Sequence, residues 1–125
     1  MHAASGLRFP AAVLIVVVGA VHLQQYRDFI KDVPTIGTLF VLNAAGAGVL
    51  VAMLAFPRLR APAALGGVGL CIGSLVSVAL SFTDSGIFGY TEQSLRTPIV
   101  IAIVAEAAAL LVLVVFMASG RRTRT

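Results

Sequence analysis

Four apolar runs, about Arg8 to Tyr26, Ile36 to Phe56, Ala63 to Phe82 and Pro98 to Ala118, alternate with short stretches that carry almost all of the charge. Each run is near the roughly 20 residues that a helix needs to cross a bilayer. Lipid offers no partners for unpaired backbone groups, so helix is the expected conformation of each. A transmembrane barrel would alternate in polarity along every strand, and these runs do not. The pattern predicts an all-α membrane protein: a four-helix transmembrane bundle with up-down topology, a single domain over residues 1–125. Left-handed packing near +20° is the default crossing for such helices.

The punctuation between the runs agrees. Pro34 and Gly37 stand at the entry to the second run, Pro57 closes it and Pro62 opens the third. Thr97-Pro98 reads as an N-cap followed by proline at the first helical position, where the missing N–H costs nothing. Gly120 reads as a helix stop. The stretch from Arg8 to Ala20 has some features of a signal peptide, but its basic region is weak; it is read as a retained first span. The loop "YRDFIKDVPT" is expected to prolong the first helix by a turn or two. In "TDSGIFGYTEQSLRTP", the longest loop, Phe88 and Tyr90 suit the headgroup region.

Composition sharpens the solvent assignment. The chain is 59% hydrophobic and 11% charged, against roughly 45–50% and about 25% for soluble domains. Arginine outnumbers lysine eight to one, and alanine, valine and glycine abound, which points to a GC-rich bacterium. The net charge of +4 lies beside apolar runs without interleaved stacking aromatics, so it reads as attraction to lipid headgroups and not to nucleic acid. Arg8, Arg58, Arg60, Arg121, Arg122 and Arg124 fall on one side of the membrane, and Arg27, Lys31 and Arg96 on the other. The positive-inside rule then predicts cytoplasmic termini in a bacterial inner membrane.

Small residues mark the expected helix contacts. Gly69, Gly73, Ser77 and Ser81 recur every four residues in the third run, and Gly46 lies in a smooth segment of the second. Such ridges are expected to pack helices. Gly46, Gly69 and Gly73 are the glycines assigned to that role. The second and third runs hold more small-residue surface than one tight bundle uses, which points to self-association or a membrane-protein partner.

Candidate chemistry comes from the few polar residues inside the runs. A carboxylate near mid-membrane costs on the order of 2.5–3.5 kcal/mol on insertion scales, so Glu106 is expected to face the bundle interior. At about 1.5 Å per residue, Glu106 lies roughly 12 Å below the outer face, Asn43 roughly 10 Å, Ser77 roughly 8 Å and His22 roughly 6 Å. Each span thus supplies one polar residue to the same outer half, and the inner half has little comparable. His22, Asn43, Ser77 and Glu106 are the expected members of a polar chamber that could hold a proton, a cation or a small polar ligand. The alternative is interhelical glue, with Glu106 hydrogen-bonded to Asn43 or Ser77.

Other chemistries find no support. Cys71 stands alone, so there is no intrachain disulfide or CxxC redox site. One buried histidine and one acid make a poor metal site. Haem would need His2 of a second subunit as its other ligand. The glycines of "LGGVGLCIGS" lack the lysine of a phosphate loop, and no serine has a base and an orienting acid at recognisable spacing. No cofactor is expected.

The segment "GAVHLQQYRDFIKDVPTIGTLFVLNAAGAG", with its HLxxY and IGxLFxLN stretches, resembles small uncharacterised four-span bacterial membrane proteins; the whole chain is distantly similar to DoxX-like four-helix proteins. The resemblance implies a four-helix membrane bundle and groups His22, Tyr26, Gly37 and Asn43. Three functions follow as expectations. The first is a non-enzymatic accessory or interaction subunit of a membrane complex. The second is a small transport or proton/ligand-handling protein built on the outer-half chamber. The third, a membrane oxidoreductase subunit, rests on the resemblance.

Overall fold

The computed structural model describes residues 6–122; His2 and Arg124 lie outside them. Four long helices make up the described chain: α1 (Arg8–Gln25), α2 (Ile36–Leu54), α3 (Arg60–Ser81) and α4 (Thr97–Arg122). All four are long and apolar enough to cross a membrane. They form an up-down ring in which α1 packs against α2 and α4, and α3 packs against α4 and more loosely against α2. This is the four-helix transmembrane bundle that the polarity pattern predicts. Its outer surface carries large apolar side chains such as Phe9, Val13, Val49, Leu65, Val104 and Leu111, suited to acyl chains.

Each helix buries one narrow stripe. On α1 the buried positions are Ala11, Ile15, Val18, Gly19, His22 and Gln25, three or four residues apart except for the adjacent Val18 and Gly19. On α3 they are Ala63, Ala64, Gly67, Cys71 and Ser81. The dry part of the interior is Ala11, Ile15, Ala47, Leu54, Ala63, Ala64 and Leu113. These cluster towards the membrane side that holds the termini. The buried polar residues His22, Gln25, Ser81 and Glu106 lie in the other half. The bundle is therefore split along its axis into a packed apolar half and a polar half.

The glycines that permit close approach differ from those expected. A Cβ on Gly19 would lie 2.9 Å from the Ala47 Cβ, and one on Gly67 would lie 2.7 Å from Leu113 Cδ1. These positions bring α1 to α2 and α3 to α4. At Gly69 and Gly73 a Cβ would meet nothing within 4 Å, and at Gly46 only Leu70 Cδ1 at 4.0 Å. At Gly69 and Gly73 the expected ridge is thus not a contact between helices of this chain, whereas Gly46 just reaches α3 at Leu70. Successive four-residue steps drift by about 40° around a helix, and the ridge faces the gap between α2 and α3.

The helix ends shape the polar half. α1 widens into a π turn over Tyr26–Ile30, closed by Lys31 N–H donating to Tyr26 O at 2.8 Å. Gly37 must remain small there, because a Cβ would sit 2.9 Å from Ile30 O and 3.1 Å from Lys31 O. Gly120 does not stop α4, which continues to Arg122. A glycine can end a helix by adopting positive φ, and Gly120 does not do so.

Candidate functional site

Lined by residues of all four helices, in the half opposite the termini, lies a cavity of about 400 Å³. Its wall is mostly apolar, formed by residues such as Leu39, Phe40, Leu70, Val78 and Ile99. His22, Asn43, Ser74 and Ser77 add polar groups to it, and Gln25, Tyr90, Glu92 and Arg96 line the end beneath the long loop. Gly69 and Gly73 form part of the wall, so the absence of their side chains leaves room.

His22 and Glu106 meet through a residue that the sequence pattern did not single out. Ser74 Oγ donates to Glu106 Oε1 at 2.5 Å and lies 3.2 Å from His22 Nε2. The direct His22 Nε2–Glu106 Oε1 separation is 3.7 Å. His22 Nδ1 lies 2.8 Å from Val18 O. A carbonyl only accepts, so Nδ1 carries a proton. Phe40 packs against the imidazole, ring centroids 4.9 Å apart. Glu106 is fully buried and lies behind Ser74, outside the cavity wall. Its Oε2 has no partner among the described residues.

Hydrogen-bond accounting restricts what this trio can be. A serine hydroxyl has one proton to give and can accept in return. In one arrangement Ser74 donates to the Glu106 carboxylate and accepts from Nε2–H of an imidazolium. In the other, a Glu106 carboxyl donates to Ser74, which donates to Nε2 of a neutral imidazole. The two hold the same number of protons and interconvert when each proton moves one bond along the chain. Without that shared proton, Ser74 can satisfy only one neighbour. The trio is therefore a hydrogen-bonded chain whose two arrangements differ only in where its protons lie, with His22 and Ser74 at the cavity wall and Glu106 behind them.

The other expected residues sit nearby with different roles. Ser77 lines the cavity, but its hydroxyl donates to Gly73 O at 2.7 Å, within its own helix. Asn43 lines the cavity with its Oδ1 buried and without a partner among the described residues. Glu106 is bonded to neither Asn43 nor Ser77; Ser74 takes the place expected of Ser77. At about 100° per residue, Ser74 continues the inward stripe of Gly67 and Cys71, whereas Ser77 continues the outward-displaced ridge.

The long loop roofs the cavity. Phe88 and Gly89 have positive φ of 49° and 77°, and Ile87 and Tyr90 exchange two backbone hydrogen bonds around them. This is the pattern of a type I′ turn, and Gly89 accepts it readily. The turn presents Tyr90, whose hydroxyl donates to Glu92 Oε2 at 2.6 Å. Arg96 donates to both Glu92 oxygens, at 3.2 and 3.3 Å, and to Gln25 Oε1 at 3.0 Å. Its guanidinium also lies 5.0 Å from the Phe29 ring centroid. Glu92 N–H donates to Ser81 O at 2.7 Å, which ties the loop to the end of α3. Tyr90 thus faces the cavity as a latch, while the exposed Phe88 is left to the surface.

No family model, curated protein or solved structure matches the chain. The candidate site consequently rests on its own geometry.

The latch carries a pH signature. Burial, and then the bond to Glu92, push the Tyr90 hydroxyl up to about 12, while the bond to Glu92 holds Arg96 above its ordinary value. A raised phenol pKa stabilises the folded loop below the ordinary phenol value of about 10, and that contribution disappears as pH rises through the folded value. A nitroxide attached at Phe88→Cys is expected to keep the same mobility across the neutral range and to loosen between about pH 10 and 12. Arg96→Ala should give the loose spectrum already at neutral pH. Identical spectra for both proteins throughout would show that the latch does not hold the roof.

Proposed function

We propose that this is a small membrane protein that binds a ligand in the cavity opposite its termini and handles a proton there. The observation that supports this reading is the His22–Ser74–Glu106 chain, which joins a fully buried acid to the cavity wall. Intramembrane ionisable groups are costly and tend to mark proton or ligand pathways. Among the described residues, the hydrogen bond of the acid leads through a hydroxyl to an imidazole, and both line the cavity. Ligand occupancy and proton position are linked because a donor or acceptor brought to His22 or Ser74 favours one of the two relay arrangements.

The wider setting is part of the proposal. Six arginines on the side of the termini, against two arginines and a lysine opposite, support cytoplasmic termini and an outward-facing cavity. The arginine-rich, lysine-poor composition supports a bacterial inner membrane. The HLxxY and IGxLFxLN segments support kinship with small DoxX-like four-span proteins.

The test is hydrogen–deuterium exchange followed by infrared spectroscopy in proteoliposomes. At a pH where a carboxyl C=O band is present, the band that Glu106→Gln removes should shift on mixing with D₂O. If that band stayed unshifted for hours, Glu106 would be sealed interhelical glue and the proton-handling reading would be wrong.

A second reading, an accessory subunit of a membrane complex, draws support from the open face of α2 and α3. Gly48, Gly69 and Gly73 are exposed with nothing within 4 Å of their Cβ positions, so a partner helix could approach closely. Cysteine cross-links from Gly48→Cys to a reproducible partner, or to a second copy, would favour it over a free-standing binding protein.

A further inference from the structure

We propose that the cavity takes a neutral single-chain amphiphile whose head carries a carbonyl and a hydroxyl, entering sideways from the lipid between α2 and α3. The proposal rests on the ligand-binding half of the function above and names the ligand class.

The entrance follows from what is missing on α3. Gly69 and Gly73 line the cavity and are exposed, with no atom near their Cβ positions. Across the gap, Leu39 and Leu42 also line it and are 40% and 59% exposed. The cavity is therefore a cleft whose side opens on the apolar, lipid-facing surface. Towards water it is covered by the Tyr90–Glu92–Arg96–Gln25 network. A ligand that reaches it sideways must dissolve in lipid, and an acyl chain can remain in the opening while the head turns inward.

The head chemistry follows from two unused polar atoms. Gln25 is only 3% exposed. A guanidinium only donates, so the Gln25 atom that meets Arg96 is the oxygen, and Nε2 is left as a donor. That Nε2 has no partner among the described residues. Asn43 Oδ1 is a buried acceptor in the same condition. Both residues line the cavity. Buried polar atoms are nearly always paired in proteins, so these two fit a ligand that accepts at one end of its head and donates at the other. An ester or ketone carbonyl answers Gln25, and a hydroxyl answers Asn43.

Charge argues for a neutral head. Arg96 and Glu92 face the cavity but are paired with each other, and the Tyr90 phenol is bonded to Glu92. His22 and Glu106 are joined to each other through Ser74. A phosphate would meet Glu92 and an ammonium would meet Arg96, each breaking a pair that a neutral head leaves intact.

The probe is tritiated monoolein, which has one chain, one ester carbonyl and free hydroxyls, added to full-length protein in phosphatidylcholine nanodiscs. Saturable binding above that of empty nanodiscs is expected, displaced by unlabelled monoolein but not by oleate or oleylamine. Gln25→Leu and Asn43→Leu should each weaken binding about tenfold, the loss of one hydrogen bond at a desolvated site. Gly73→Leu, placed where a side chain meets open space, should keep the helical circular dichroism and monodispersity of the native protein while blocking the entrance. Absence of saturable binding, equal displacement by either charged amphiphile, or binding indifferent to all three variants would overturn the proposal. Monoolein binding without deuterium exchange at Glu106 would overturn the proton reading and leave this one standing; exchange without binding would do the reverse.

Discussion

Ser74→Ala is expected to uncouple His22 from Glu106 and to cost about 1–2 kcal/mol of bundle stability. The hydroxyl is the only described donor to Glu106 Oε1, and Oε2 has none. Alanine would leave both oxygens of a fully buried acid without a hydrogen-bond partner among the described residues, with His22 Nε2 3.7 Å away. Volume hardly changes, so packing is not the cause of the loss. Ser74→Thr keeps the hydroxyl on nearly the same atom and should restore much of both properties. Unfolding in mixed detergent–SDS micelles measures the first effect, and the pH dependence of the carboxyl band measures the second. Equal stability and an unchanged titration in Ser74→Ala would mean that Ser74 is incidental to the pair.

The larger loss of stability is expected from Gly19→Leu. A Cβ on Gly19 already lies 2.9 Å from Ala47 Cβ, and Ala44 O and Cα follow at 3.6 and 3.7 Å. The obstruction is a backbone and a methyl group that cannot rotate away, so α1 and α2 must separate. Overpacking a filled interior costs about 1–3 kcal/mol or more, and little folded protein should remain in SDS titration. Gly48→Leu, exposed and with open space at its Cβ, serves as the matched substitution on α2 and should unfold with the native protein. If the two variants behaved alike, α1 and α2 would not meet at Gly19.

The bundle was legible because its cause is local: lipid forces each apolar run into a helix, and the runs have the length of a bilayer. The depth of the polar residues was legible for a similar reason. Counting residues from the loops places His22, Asn43 and Glu106 in one half of the membrane, and the cavity lies in that half. The angle around each helix was harder to read. A four-residue step looks like one face over two turns but drifts over four, so Gly69, Gly73 and Ser77 read as the contact ridge when they border a gap. The stripe of Gly67, Cys71 and Ser74, stepping by four and then three, was present in the sequence and points inward. Gln25 could have been found in the same way, three residues after His22 on α1. The roof was not legible. Glu92 and Arg96 are four apart in a loop, and their meeting with Gln25 and Tyr90 depends on the turn at Phe88–Gly89.

The most direct measurement of the relay is solid-state ¹⁵N NMR of histidine-labelled protein in lipid, with His22 separated from His2 by His22→Gln. The Val18 carbonyl requires Nδ1–H in every state, so neutral His22 should be the Nδ1–H tautomer. Its Nε2 resonance should change over the same pH interval as the Glu106 carboxyl band, and Ser74→Ala or Glu106→Gln should each displace that change. A neutral His22 protonated at Nε2, or one whose titration is unmoved by both substitutions, would contradict the account.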